Sequence, residues 1–208
     1  ESTDAVILNV ADEQAWDEIL AGLRVHFGGV LAGEPLPEPA NDVKPLEISP
    51  DAPAMVFFAP RGIGASAWGG DEKKQTQIRR RFMLLGQTLD GMRVWDVRRA
   101  IEAVRSLNAL KDTKLSARGS RQAGVLALYA SLFEPAVVGL QLSAPPADHR
   151  AGPIFLNVSR YLHLSQAVAM AAERAPVTIT SDAPETWAYP IAVGKRLGWD
   201  AGRLVVGE

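Results

Sequence analysis

The residues best placed to do chemistry lie in the run Gly119-Ser120-Arg121-Gln122-Ala123-Gly124. It follows a short apolar stretch at Leu115–Ala117 and precedes an Ala- and Leu-rich segment, so it reads as strand, tight turn, then helix. A serine held on such a turn, in the pattern Gly-x-Ser-x-Gly, is a nucleophile for acyl transfer. The glycines two residues either side are needed because the turn brings backbone too close for a Cβ. Counting from Gly119, the nucleophile position falls on Arg121, a side chain that cannot attack a carbonyl. Ser120 is the one hydroxyl at the turn, but its flanking positions are Arg118 and Gln122, which do not suit that geometry. Arg121 could lower the Ser120 pKa or hold an oxyanion. A serine would still need a base, and His149 in Pro145-Pro146-Ala147-Asp148-His149-Arg150 is the histidine on a loop leaving the C-terminal end of a strand. His26 and His163 fall in or beside helical segments and read as structural or solvent-exposed. Asp182 precedes Ala183-Pro184 and suits a turn.

The elements that must position these residues alternate along the chain. Ala5–Val10 is an apolar run followed by Asp12, a helix N-cap, and by Trp16, Ile19, Leu20 and Leu23 at helical spacing. Residues 33–53 carry Pro35, Pro37, Pro39, Pro45, Pro50 and Pro53 and read as an extended connector. A second strand over Ala54–Ala59 runs into Pro60-Arg61-Gly62-Ile63-Gly64. Residues 65–81 are polar and basic, and one long helix is expected from about Arg81 to Leu107. Further strands are expected at Ala136–Leu142, Pro176–Thr180 and Arg203–Val206, with helices over Gln122–Phe133, Ser165–Arg174 and Tyr189–Leu197. The expectation is an α/β domain: a doubly wound, mostly parallel sheet of about six strands flanked by helices.

The chain of 208 residues suits one domain, 1–208. Its net charge of −2 offers no general attraction to nucleic acid, and no apolar run approaches a membrane span. With no cysteine, disulfides and thiol catalysis are excluded. The opening Glu1-Ser2-Thr3-Asp4 lacks the regions of a signal peptide, as a processed chain also would, so the compartment stays open. No metal site and no cofactor is expected.

The Arg61-Gly62-Ile63-Gly64 turn, the stretch Phe82–Asp96 and the Gly119–Ala130 turn and helix together resemble the α/β-hydrolase superfamily, and more narrowly its acetyl-xylan-esterase and prolyl-oligopeptidase-like branch. The resemblance covers nearly the whole chain. It implies that the first strand here corresponds to the third of the full fold and the last to the eighth, with the strand ending at Val10 between those of Phe57 and Leu115. The first two family strands would then lie outside this sequence. The Ala54–Ala59 strand is therefore expected at a sheet edge, covered by an upstream segment of a longer polypeptide, by a second copy or, as the weaker third option, by the proline-rich residues 35–53.

The resemblance also implies an oxyanion-hole turn after the first strand, where Val10-Ala11-Asp12-Glu13 stands, and a histidine after the last strand, where none occurs up to Glu208. The reading is thus a catalytically degenerate hydrolase homologue, with a serine esterase using Ser120 and His149 as the alternative; the resemblance implies that its acid follows the sixth or seventh family strand, at Asp148 or Asp182. Arg121, Arg61 and His149 are the candidate contacts for a small anionic or carbohydrate ligand in the former active-site cleft, with Asp148 or Asp182 as carboxylate partner to Arg121. Lys73, Lys74, Arg79, Arg80 and Arg81 suggest an anion or acidic-polysaccharide contact, or simply a solvated face. Trp68, Trp95 and Trp187 could stack on a sugar or pack against the core.

Overall fold

The computed structural model describes residues 4–30 and 52–207. The proline-rich connector lies outside these apart from Ala52 and Pro53. Six strands form one parallel sheet: β1 (Ala5–Val10), β2 (Ala54–Phe58), β3 (Lys114–Ser120), β4 (Val137–Ser143), β5 (Val177–Thr180) and β6 (Leu204–Gly207). Their order is β2-β1-β3-β4-β5-β6, so β1 lies between β2 and β3 and β2 is at an edge, as the sequence leads one to expect. Parallel neighbours need crossovers, and helices supply them. These are α1 (Glu13–Phe27), α2 (Glu72–Leu84), α3 (Leu89–Ser106), α4 (Arg121–Phe133), α5 (Leu164–Arg174) and α6 (Ala188–Leu197).

Alternation along the strands sorts the two faces of the sheet. Val6, Leu8 and Val10 of β1 and Leu115 and Ala117 of β3 are buried with Val97 and Ile101 of α3 and the Ala- and Leu-rich α4. Helices α3, α4, α5 and α6 pack in succession to form that layer. The alternate residues Asn9, Phe57 and Arg118 share a cavity with Ala15, Glu18 and Ile19 of α1, which lies over the opposite face. No helix among the described residues is long and apolar enough to cross a membrane.

The single long helix expected from about Arg81 is instead two. Helix α2 starts nine residues earlier, at Glu72, capped by Asp71, whose carboxylate accepts from the Lys74 N–H at 2.9 Å. It stops at a turn through Gly86, whose φ of 71° a residue with a Cβ adopts at a cost. Thr88 then restarts the chain as α3 by accepting from the Gly91 N–H at 2.9 Å. Arg81 accordingly sits in the last turn of a helix, where a cation is favoured, and does not oppose a dipole at the start of one.

Candidate functional site

The site is built at the C-terminal ends of β1, β3 and β4, where open parallel sheets place their ligands. Strand β3 ends at Ser120 and α4 begins at Arg121 with no intervening loop. A turn that sharp requires backbone to meet backbone. A Cβ on Gly119 would stand 2.7 Å from the Gly124 nitrogen, and one on Gly124 would stand 2.9 Å from the Gly119 carbonyl oxygen. Arg121 takes the strain of the turn at φ 50°, the left-handed region that ordinary side chains avoid at a cost of about 1–2 kcal/mol. The residue two after it, Ala123, is fully buried. The position at which a strand–turn–helix of this kind presents a nucleophile is thus occupied by an arginine.

Its side chain crosses to the end of β1. Arg121 donates from Nε to Asp12 Oδ2 at 3.1 Å and from a terminal nitrogen to Asp12 Oδ1 at 2.7 Å, a two-point ion pair. Asp12 also caps α1, accepting from the Ala15 N–H at 2.9 Å, as its place in the sequence leads one to expect. The carboxylate partner of Arg121 is therefore Asp12, and neither Asp148 nor Asp182. Those two lie after β4 and β5, whereas Asp12 opens the helix that follows β1, next to β3 in the sheet. The Asp12 hydrogen bonds hold the Arg121 guanidinium above its ordinary pKa, against the opposing effect of burial and with Coulombic help from Asp12 and Glu18.

Arg121 and Asp12 line a cleft of about 470 Å³ together with Glu13, Arg79, Asp90 and Arg93. Asp90 and Arg93 form its fixed part. Both are buried; they face each other at 3.3 Å, one turn apart on α3. The second Asp90 oxygen accepts from the Ile154 N–H at 2.8 Å, and Arg93 Nε donates to the Arg61 carbonyl at 3.1 Å. Arg93 also approaches Glu13 at 3.7 Å. A buried pair whose remaining valences are filled in this way ties α3 to the loop after β4 and to the turn after β2. The i, i+3 spacing of Asp90 and Arg93 is visible in the sequence, but the burial that gives the pair its importance is not. Arg79, from α2, is exposed at the cleft and has no ion pair among the described residues.

The other residues singled out in the sequence are placed apart from Arg121. Arg61 holds Asp96 of α3 at 2.7 and 2.5 Å through its guanidinium, and its N–H donates to the same carboxylate at 3.0 Å, so it clamps the turn after β2 onto α3. Ser120 lines a different cavity, of about 240 Å³, beneath α1. His149 lies against α4, with Nε2 3.0 Å from the Tyr129 hydroxyl and its ring edge-on to Phe155. No hydrogen bond joins His149 to Ser120 among the described residues. Burial pushes the His149 pKa below its usual value, partly offset by the Leu162 backbone and Asp148. Burial also pushes Tyr129 up to about 12. Asp148 is exposed in a tight turn, where the Arg150 and Ala151 N–H groups stabilise its carboxylate and lower its pKa. Asp182 is exposed after β5. Among the described residues no cluster of His, Asp or Glu is placed to hold a metal ion.

No family model and no curated protein sequence matches this chain. Its structure is similar to the crystal structure of a protein from Bacteroides fragilis NCTC 9343 designated an acetyl xylan esterase, with a TM-score of 0.65 and 12% identity. That match covers 100% of this chain and 59% of the other, so the chain spans about three-fifths of that protein's length. Thermogutta terrifontis esterase 2 aligns at 15% identity with a TM-score of 0.47 over 100% of this chain and 72% of its own. Mycobacterium tuberculosis MPT51 aligns at 12% with a TM-score of 0.47, over 100% and 81%. These two are too distant to carry an argument. The first likeness, with the strand order and the strand–turn–helix at Gly119–Gly124, gives the class: the chain has the α/β-hydrolase fold.

Proposed function

We propose that this chain is a non-catalytic α/β-hydrolase-like domain whose former active-site cleft binds a small anionic or carbohydrate ligand. The observation that carries the reading is Arg121 at φ 50° in the nucleophile position, locked to Asp12. A guanidinium does not lose its charge to become a nucleophile, and its partner puts a carboxylate at the end of β1, on the side where a developing oxyanion would need hydrogen-bond donors. The cleft is lined by three cations and three carboxylates, and Arg79 among the cations is left to neutralise an incoming anion. A carbohydrate would find both donors and acceptors on the same walls.

The competing reading is a serine esterase, a class suggested by what the Bacteroides fragilis protein is designated to be. It needs Ser120 and His149 to act together, yet Ser120 lines the cavity beneath α1 while His149 is engaged by Tyr129. Hydrolysis of p-nitrophenyl acetate and of acetylated xylo-oligosaccharides tests the choice. Release at the buffer rate, identical in Ser120→Ala, is expected. Turnover that Ser120→Ala abolishes would overturn the proposal.

A further inference from the structure

A second surface, separate from the cleft, combines an aromatic plate with fixed cations. Helix α2 has no buried residue, and within Asp71–Leu84 five cations stand against two carboxylates, a local charge of +3 on a chain whose net charge is −2. None of Lys73, Lys74, Arg80 and Arg81 forms an ion pair with another described residue. Along one side of the helix lies a groove of about 490 Å³, lined by Trp68, Gly69, Lys74, Ile78, Arg81 and Phe82. It continues into a smaller hollow of about 320 Å³ bordered by Lys73 and Gln77.

Two close approaches hold its parts in place. The Trp68 ring lies on Gly62, where a Cβ would stand 2.7 Å from the indole, and the Trp68 carbonyl accepts from Gln75 Nε2 at 2.8 Å. Phe82 tilts against the same ring at 6.2 Å between centroids. The aliphatic stem of Lys74 passes over Gly70, where a Cβ would stand 2.5 Å from its Cδ. The indole and the stem of one flanking cation are thus positioned before any ligand arrives, which lowers the ordering cost of binding.

We propose that this groove is a binding site for an acidic polysaccharide whose ring-borne carboxylates lie one sugar away from a flat apolar face, as in a uronic-acid glycan. The apolar face of one sugar rests on Trp68, and carboxylates of the same and the next residue meet Lys74 and Arg81. A neutral glycan leaves those cations unused. Single-stranded nucleic acid needs a succession of stacking platforms along its backbone, whereas the groove offers one rigid plate. An anionic membrane calls for an aromatic that projects, and Trp68 is half-buried within the groove.

Titration calorimetry with oligogalacturonate, run on the whole chain, tests the assignment. Binding is expected to weaken tenfold or more in Lys74→Ala/Arg81→Ala, both exposed positions that leave the fold intact, and to weaken as salt is raised. Trp68→Phe is expected to retain part of the affinity and Trp68→Ala little, with circular dichroism confirming that each is folded. Lys195→Ala/Arg196→Ala, which removes two exposed cations of α6, is expected to bind as the parent does, which separates this groove from cationic surface in general. Absence of binding would overturn the proposal. So would equal affinity for cello-oligosaccharides, for oligo(dT) or for vesicles containing phosphatidylglycerol, indifference to the Lys74/Arg81 change, or an equal loss of binding in Lys195→Ala/Arg196→Ala.

Discussion

Asp12 does two jobs that substitution can separate. Its carboxylate caps α1 through the Ala15 N–H and pairs with Arg121 at two points. Asparagine keeps the capping oxygen and removes the charge, while alanine removes both. Loss of a cap costs about 1 kcal/mol. The pair is partly exposed, at 38% for the Arg121 side chain and 20% for Asp12, so screening keeps its contribution to about 0.5–1 kcal/mol. Asp12→Asn should therefore destabilise by about 0.5–1 kcal/mol and Asp12→Ala by about 1.5–2 kcal/mol, read from urea denaturation midpoints at constant slope. In an Arg121→Ala background the Asn change should cost close to nothing and the Ala change about 1 kcal/mol, because only the cap remains to be lost. High salt should shrink the Asn effect and leave the cap effect in place. An Asp12→Asn cost that is the same with and without Arg121 would refute the reasoning, since the two side chains would then not be coupled.

Gly119→Ala should cost about 1–3 kcal/mol or prevent folding, because its Cβ would meet the Ala123–Gly124 backbone, which cannot swing aside; an unchanged denaturation midpoint would contradict the turn geometry. Thr88→Ala, at the start of α3, should cost about 1 kcal/mol in the same assay, and no change would mean that α2 and α3 are not separately capped. The depressed His149 pKa gives a contribution to stability that is fully present above the unfolded-state value of about 6.5 and is lost as pH falls through the lower folded-state value. Stability measured from pH 7.5 down to 5.5 should thus decline less steeply in His149→Gln than in the parent, and equal slopes would show that the imidazole is not desolvated. The outer edge of β2 is expected to be covered, by a preceding segment of the same polypeptide or by a second copy. Light scattering across a concentration series, read with amide exchange, tests this, and a monomer whose Met55 and Phe57 amides, which point away from β1, exchange freely would speak against it.

The sheet was legible because short apolar runs separated by helical patterns admit few arrangements, and β1 is flanked by β2 and β3 in the order that the resemblance implies. The Gly119 turn was legible for a similar reason: only small residues fit where the first turn of α4 meets the end of β3. The division between α2 and α3 was missed because Ile78, Phe82, Leu85 and Leu89 continue a helical spacing straight through Gly86, and the break depends on a positive φ that spacing does not report. The partner of Arg121 is not legible in the sequence because capping alone accounts for Asp12, whereas its carboxylate both caps α1 and pairs with Arg121. The Asp90–Arg93 pair was invisible for a different reason, since its value lies in burial and in contacts to Ile154 and Arg61 that are distant in sequence.

The central claim, that the nucleophile position is held by an arginine and no serine in its place is activated, is tested most directly by reaction with a fluorophosphonate probe followed by intact-mass and peptide analysis. The account predicts no stoichiometric adduct at Ser120 on the parent chain, and none on Arg121→Ala, since removing the guanidinium supplies no base. A one-to-one adduct on Ser120, abolished by His149→Gln, would contradict it.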